Sequence, residues 1–191
     1  MTIEAYIQQV LPMPPDKAAL IASHFEPIEL HKQQLVLQEG RVSNRTYFLV
    51  QGYMRCFTID YQGKEVTTRI FSPPSFVNDF LSFFRKEPSK ESYVAMTDCK
   101  THSIDFETLN TCFHTIPEFR EMGRMLLTLN LSQVHQRMLS LLKDSAETRY
   151  LQLLAQHPDI IQNVPLKVIA SYLGMTDTSL SRIRKEVAKT P

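Results

Sequence analysis

The central part of the chain, residues 27–102, consists of short runs in which apolar and polar residues alternate. These runs are rich in Val, Ile, Thr, Phe and Tyr, and Gly40, Gly52 and Gly63 fall between them at spacings of 12 and 11 residues. Evenly spaced turn glycines between alternating runs are typical of antiparallel strands in a sandwich or barrel. The pattern therefore predicts an antiparallel β-domain, with one hairpin tip at residues 61–64.

On both sides of this region the apolar residues recur with a helical period. Residues 2–24 predict two short helices separated by prolines. Residues 117–142 predict one long helix, along which apolar residues recur at spacings of 4, 3, 4 and 3. This spacing predicts a dimerisation seam made by Leu127, Leu131, Val134, Met138 and Leu141. A long helix that packs entirely within its own chain is the alternative.

The last part of the chain predicts a further helix over residues 144–157, a connector over residues 159–164 and then a helix-turn-helix over residues 165–188. Gly174 stands where a helix ends with positive φ, and Thr176 can cap the following helix by accepting from its free N–H groups. Small and apolar residues on the inner faces allow two helices to cross steeply at a tight turn.

The outward face of the second helix in this pair combines short hydroxyl side chains with long cations. Hydroxyl groups can contact phosphates, and Arg and Lys can reach base edges in the major groove. The residues that point outward, and that we expect to contact DNA, are Asp177, Thr178, Ser181, Arg182 and Lys185. An αα-hairpin that binds nothing, or binds protein, is the alternative.

Composition changes this picture only locally. The net charge is +1, with 43% hydrophobic and 21% charged residues, as in an ordinary domain with a real core. Residues 164–191 carry five basic against two acidic groups, which is the local excess that a phosphate-facing module needs. The N-terminus has no basic stretch leading into an apolar run, and no apolar run approaches the roughly 20 residues that span a bilayer. We therefore expect a cytoplasmic protein with no membrane partner.

The order of these elements resembles the cyclic-AMP receptor protein/fumarate-nitrate regulator (Crp/Fnr) family over roughly residues 25–185. The resemblance is strongest in YFLVQGYMR, residues 47–55, and in IASYLGMT with LSRIRK, within residues 169–185. It implies an α+β fold with an N-terminal cyclic-nucleotide-binding-like antiparallel β-roll, a long dimerisation helix and a C-terminal helix-turn-helix.

The same resemblance implies a domain order and a function. The β-roll sensor domain, with its N-terminal helices, is expected over residues 1–116, the dimerisation helix over 117–142 and the DNA-binding domain over 143–191. A homodimer of this kind is expected to act as a sequence-specific transcription regulator on double-stranded DNA, with RNA polymerase as a further partner.

By position, the resemblance assigns base reading to Asp177, Thr178 and Arg182, and phosphate contacts to Thr176 and Ser181. The family's usual Arg-Glu pair is replaced by Asp177-Thr178, so we expect different operator bases to be read. The chain ends at Pro191, directly after the recognition helix, and we therefore expect a helix-turn-helix without a β-wing.

The resemblance also places a small-molecule pocket around Asn78, Asp79, Lys90, Val134 and His135. In the family a Gly-Glu pair opens a short helix and an Arg-Ser pair holds the cyclic phosphate. Here the matching positions are Asn78-Asp79 and the stretch PSKES at residues 88–92, which contains no Arg. Because a bidentate clamp is lost and carboxylates are added, we expect an effector other than cyclic AMP, or none.

The sequence contains few residues that could bind a metal or a cofactor. The three cysteines are scattered and cannot supply the four thiolates of an iron–sulfur cluster, and the six histidines show no HxH or HxxxH spacing. We expect no metal and no cofactor, although a haem held by a single histidine stays open.

Two alternatives to a DNA-binding regulator come from other classes. An enzyme on a cupin-like barrel would need several metal-binding histidines, and the chain has no P-loop, GxSxG or GxGxxG motif, so we expect no catalysis. A ligand-binding or protein-interaction module with a cyclic-nucleotide-binding-like fold and little DNA binding is the second.

Overall fold

The structure is a computed structural model, and it describes residues 1–188. The chain begins with two short helices, α1 (Ile3–Val10) and α2 (Pro15–Ala22). Thr2 caps α1, because its hydroxyl accepts from the Ala5 N–H at 3.3 Å. The apolar faces of both helices are buried against the β-domain, so the pair closes one end of the core.

Eight strands follow in two four-stranded sheets, which confirms the predicted antiparallel β-roll. One sheet has the order β1-β8-β3-β6 and the other the order β2-β7-β4-β5, and every pair is antiparallel. The strands are β1 (Glu26–Leu30), β2 (Leu35–Leu37), β3 (Arg45–Gln51), β4 (Met54–Ile59), β5 (Glu65–Phe71), β6 (Ser75–Val77), β7 (Ser92–Ala95) and β8 (Cys99–Asp105).

The turns of the roll are fixed by local chemistry. At the predicted hairpin between β4 and β5, the carboxylate of Asp60 accepts from the N–H groups of Gln62 and Lys64, both at 2.9 Å. Gly52, between β3 and β4, has a φ of +93°, and a Cβ there would come within 2.4 Å of the Asp98 carbonyl oxygen. Only glycine fits this turn without displacing the backbone.

Helix α3 (Phe80–Arg85) lies between β6 and β7, and helix α4 (Phe106–Thr115) follows β8. The long helix α5 (Pro117–Lys143) comes next. The first turns of α5 are buried in the core, where Gly123 packs so closely on Phe113 that an added Cβ would lie 2.5 Å from its ring. Further along, α5 leaves the core and exposes its apolar residues.

The C-terminal region contains four helices, α6 (Ala146–Gln156), α7 (Pro158–Asn163), α8 (Leu166–Tyr172) and α9 (Asp177–Val187). The prediction of a connector over residues 159–164 is wrong. Pro158 and Asp159 are well suited to the first turn of a helix, and Ile160 is buried in the core of this region. The helix has no recognisable period in the sequence, because only Ile160 and Ile161 of its six residues pack against that core.

Within residues 1–188 no strand follows α9. Pro191, on which the expectation of a wingless helix-turn-helix depends, lies outside the described residues. In the same part of the chain, no helix is both long and apolar enough to cross a membrane.

Candidate DNA-binding surface and β-roll cavity

The turn between α8 and α9 fixes the orientation of α9. Gly174 has a φ of +66°, and the Met175 N–H donates to the Ala170 carbonyl at 3.0 Å, so the free carbonyls of α8 are satisfied. Thr176 caps α9 by accepting from the Ser179 N–H at 3.2 Å. Leu180 is fully buried in the core of the C-terminal region. These contacts confirm the predicted helix-turn-helix geometry and direct the opposite face of α9 outward.

The structure brings the six predicted DNA-contacting residues together on that outward face. All six are exposed, and five of them line one shallow hollow: Asp177, Thr178, Ser181, Arg182 and Lys185. No ion pair joins Arg182 or Lys185 to any other residue in the range 1–188. Two cations without an ion pair among residues 1–188 therefore face solvent beside Asp177, and exposed cations are what binding to a polyanion requires.

Two arginines that were not predicted as functional hold this module in place. Arg137 of α5 donates to the Tyr172 carbonyl at 2.6 Å and stacks over the Tyr172 ring at 3.6 Å. Arg149 of α6 donates to the carbonyls of Leu173 at 2.9 Å and Asp144 at 2.7 Å. Burial lowers the pKa of the Arg137 guanidinium. The chain carries no local signal for either contact, because each joins residues at least five positions apart in different elements.

The helix-turn-helix also contacts the β-roll through the edge strand β5. The Thr67 N–H donates to the Ser171 hydroxyl of α8 at 2.9 Å, and Asn163 donates to the Tyr53 hydroxyl at 3.1 Å. Ile70 of β5 packs into the core of the C-terminal region. An edge strand leaves N–H groups without a sheet partner, and here α8 satisfies one of them.

The predicted dimerisation seam lies on the exposed part of α5. Its members are between 43% and 70% exposed: Leu127, Leu131, Val134, Met138 and Leu141. Leu142, beside the seam, is 78% exposed. The helix therefore exposes a contiguous apolar stripe, and exposed patches of this kind are typical of interaction surfaces.

A cavity of about 230 Å³, partly open to solvent, lies between the two sheets of the β-roll. Asn78 and Asp79, two of the five predicted pocket residues, line it. Lys90, Val134 and His135 are exposed and do not line it: Lys90 lies on the surface after Ser89, and the other two lie on the solvent face of α5. The full lining is Val36, Leu37, Val42, Ser43, Asn44, Arg45, Tyr47, Val77, Asn78, Asp79 and Tyr93.

The carboxylate of Asp79 is held by donors from two segments. It caps α3 by accepting from the Ser82 N–H at 3.0 Å, and it accepts from the Ser89 hydroxyl at 2.6 Å. Ser89 is 4% exposed, and its hydroxyl also accepts from the Glu91 N–H at 3.1 Å. The donors at this end of the cavity are therefore already used by the chain's own carboxylate.

Two of the remaining polar side chains around the cavity differ in their hydrogen bonding. The side-chain oxygen of Asn78 is buried and has no hydrogen-bond partner. Arg45 donates to the Ser103 hydroxyl at 2.9 Å and pairs with Glu26 at 3.5 Å. Burial raises the pKa of the Tyr93 phenol, which lies on the cavity wall. Cys56, Glu91 and Asp79 add to this effect, and the charge of Arg69 opposes it.

A chain of contacts leads from this cavity to α5. The rings of Tyr93 and Phe71 lie 6.2 Å apart, and the Arg69 guanidinium lies over Phe71 at 4.8 Å. Arg69 then donates to the side-chain oxygen of Gln133 at 3.2 Å. The side chains of the cavity wall therefore connect with the helix that carries the seam.

The cysteines and metal-binding residue types form no reactive centre in the described part of the chain. Cys56, Cys99 and Cys112 are all buried, and burial raises the pKa of Cys56 to about 12. Among residues 1–188, no group of three or more His, Cys, Asp or Glu is placed to hold a metal ion.

The β-roll and the fold of the chain are both similar to those of known proteins. The family model of the cyclic nucleotide-binding domain matches residues 27–115. A CRP-like cAMP-activated global transcriptional regulator of Mycobacterium tuberculosis is 22% identical over 142 residues, which are 74% of this chain. The match spans 63% of that relative's length, less than two thirds.

Solved structures of regulators share the fold at low sequence identity. FixK2 from Bradyrhizobium japonicum superposes with a TM-score of 0.72 at 15% identity, over 86% of this chain and 84% of that chain. The c-di-GMP responsive global regulator CLP from Xanthomonas campestris gives 0.71 at 16% identity, over 92% of each chain. The Thermus thermophilus catabolite activator protein gives 0.60 at 17% identity, over 94% of this chain and 85% of that chain.

Proposed function

We propose that this chain, whose β-roll matches the cyclic nucleotide-binding domain and whose fold is shared with solved regulators, is a sequence-specific DNA-binding transcription regulator of the Crp/Fnr type. One observation carries the proposal. The exposed face of α9 presents Arg182 and Lys185 without intramolecular ion pairs among the described residues, while its opposite face is anchored by the buried Leu180.

The residues of α9 have distinct roles in this proposal. Arg182 reads a guanine, because its planar fork can donate two hydrogen bonds to the major-groove edge of that base. Asp177 and Thr178 contact neighbouring bases, while Thr176, Ser181 and Lys185 contact phosphates and fix the register. Asp177 also lies at the N-terminus of α9, where a carboxylate is favoured by the helix dipole.

The proposed active form is a homodimer that pairs through the apolar seam of α5. A symmetric dimer buries the same stripe on both copies and places two copies of α9 on one side of the duplex. The proposed division of the chain is a β-roll domain over residues 1–116, a dimerisation helix over 117–142 and a DNA-binding domain over 143–191.

Cyclic AMP is not the effector in this proposal. Asp79 occupies the donors of Ser82 and Ser89, so a phosphate at this end of the cavity would meet a carboxylate instead of a cation. No arginine among the cavity residues is free to replace the missing clamp, since Arg45 is bonded to Ser103 and Glu26.

Selection from a random DNA library with the full chain tests the proposed function. We expect enrichment of a palindromic site whose half-sites lie about 34–36 Å apart on one face of the duplex. Selection in parallel with a variant that carries Arg182→Ala and Lys185→Ala should enrich nothing. If the unmodified chain also enriches no sequence, or if both proteins enrich the same one, α9 is not the DNA-reading element.

A further inference from the structure

The N-terminal end of α9 carries a small cluster of hydroxyl side chains. The Thr176 hydroxyl caps the helix by accepting from the Ser179 N–H at 3.2 Å. The same oxygen lies 2.9 Å from the hydroxyl oxygens of both Thr178 and Ser179. Since a hydroxyl has one proton, Thr176 donates to one of these two hydroxyls and accepts from the other. The polar group of Thr178 is therefore held within the cap of α9.

Thr178 is also exposed on the face of α9 that is proposed to contact DNA. It is one of the residues that line the shallow hollow on this face: Asp177, Thr178, Ser181, Arg182 and Lys185. Of these lining residues, all within the range 1–188, Thr178 alone carries a methyl group. Because its hydroxyl is hydrogen-bonded to that of Thr176, the methyl group is the part of this side chain that remains for a contact with a partner.

A methyl group on a helix in the major groove can recognise one base. Among the four bases, thymine alone presents a methyl group there, and the methyl group of a threonine can pack against it. Thr178 lies four residues before Arg182, so the two side chains are neighbours, about 5–6 Å apart, on one face of α9. Since successive bases are about 3.4 Å apart along a strand, the thymine should lie within about two base pairs of the guanine read by Arg182.

We infer that Thr178 reads a thymine through its methyl group, close to the guanine read by Arg182, while its hydroxyl serves the cap of α9. The inference rests on the proposed function, because it specifies one base of the DNA site that α9 contacts. It makes Thr178 a specificity-determining residue of the recognition helix.

A scan of the selected DNA site with uracil in place of thymine tests the inference. Uracil has the hydrogen-bonding groups of thymine and lacks only the methyl group, so the replacement isolates a methyl contact. Each thymine of one half-site is replaced singly by deoxyuridine, and binding of the full chain is measured by fluorescence anisotropy. We expect one replacement near the guanine to weaken binding by about fourfold, as for the loss of one buried methyl group.

Two substitutions separate the methyl group of Thr178 from its hydroxyl. Thr178→Ser removes the methyl group, so this variant should bind the thymine and uracil sites equally. Thr178→Val keeps a methyl group and removes the hydroxyl, so it should retain the preference for thymine. Both variants should fold, because the position is exposed and the three residue types have similar helix propensities. The control Thr111→Ser changes an exposed threonine of α4 and should also retain the preference.

The ratio of the two affinities is taken within each protein, so a partial loss of folding in a variant cancels. Equal affinity of the unmodified chain for every substituted site would overturn the inference, as would a half-site without a thymine near the guanine. A preference that Thr178→Ser retains and Thr178→Val loses would assign the reading to the hydroxyl and overturn it as well. In each of these outcomes the chain still binds a selected site, so the proposed function stands. If the chain selects no site at all, the proposed function and this inference both fail.

Discussion

The outward face of α9 and the β-roll cavity use polar residues in opposite ways. On α9 the cations Arg182 and Lys185 are exposed and form no ion pair with another residue in the described range. In the cavity the main charged group, Asp79, is already bonded by Ser82 and Ser89. Cations without an ion pair among residues 1–188 provide what a polyanion requires, whereas a carboxylate that accepts from the local donors is unfavourable to a bound anion.

The two regions also differ in how they are supported. The position of α9 depends on a small apolar core behind Leu180. It also depends on Arg137 and Arg149, which donate to the carbonyls of Tyr172 and Leu173 at the end of α8. The polar end of the cavity is held by hydrogen bonds between segments, including the Ser43 N–H to the Ser82 hydroxyl at 2.8 Å. Substitutions can therefore disrupt one region and leave the other intact.

The largest expected effect is on the proposed dimer. DNA binding through two copies of α9 requires the dimer, whereas the β-roll cavity does not. Leu131→Glu places a charge at the most exposed position of the seam, at 70% exposure, and should convert the dimer to monomers. Sedimentation equilibrium should then give half the mass, and the long DNA site should bind far more weakly. The control Leu20→Glu changes another exposed leucine, on α2, and should remain dimeric. An unchanged mass for Leu131→Glu would place the interface elsewhere.

Removing the support of α9 should have the next largest effect. Leu180 is fully buried, so Leu180→Ala should lower the free energy of unfolding of the C-terminal region by about 2–5 kcal/mol. Urea unfolding monitored by NMR should show this loss, while the amide signals of β1, which does not pack on this core, keep their stability. Leu166→Ala, at a position that is 37% exposed, is the matched control and should cost much less. Equal losses in both variants would contradict the packing described for α9.

The sequence predicts the helix-turn-helix better than the cavity, because the interactions that form the helix-turn-helix join residues close together along the chain. Gly174 and Thr176 act through the backbone within a few residues, so their roles can be recognised from the sequence alone. The bond between Ser89 and Asp79, and the one between Arg137 and Tyr172, join separate elements and depend on the fold.

The α+β architecture was predictable for the same reason, because alternation and turn glycines are local signals. The pocket was only partly predictable. The resemblance assigned Lys90, Val134 and His135 to it by position, but whether a side chain reaches a cavity depends on the packing of neighbouring elements, and in this chain all three are exposed. The short helix α7 was missed because its six residues carry too few inward positions to show a period.

Loss of one base-reading residue should have a smaller effect than loss of the fold of α9. Arg182→Ala should weaken binding to the selected site by about 1–3 kcal/mol and relax the preference at one position of each half-site. Titration against the selected site and against random DNA measures both effects. Arg120→Ala, which removes an exposed arginine near the start of α5, is the control and should change neither. An equal loss on both DNAs would mean that Arg182 contacts only phosphate.

The smallest expected effect concerns the cavity alone. Asp79→Ala removes the cap of α3 and the acceptor of Ser89, and it should cost about 0.5–2 kcal/mol of β-roll stability. Thermal unfolding measures this cost. Affinity for the selected DNA at a temperature where the variant is folded should stay within about twofold, because α9 is supported independently. A large loss of DNA affinity in the folded variant would show that the two regions are not separable.

The dependence of DNA affinity on salt tests most directly whether the unpaired cations of α9 face DNA. For the selected site, log K should fall steeply and linearly with log salt concentration, and Lys185→Ala should reduce the slope by about 1 for each α9 that contacts DNA. Arg120→Ala should leave the slope unchanged. A slope near zero, or one that Lys185→Ala does not alter, would contradict the assignment of α9 as the DNA-binding surface.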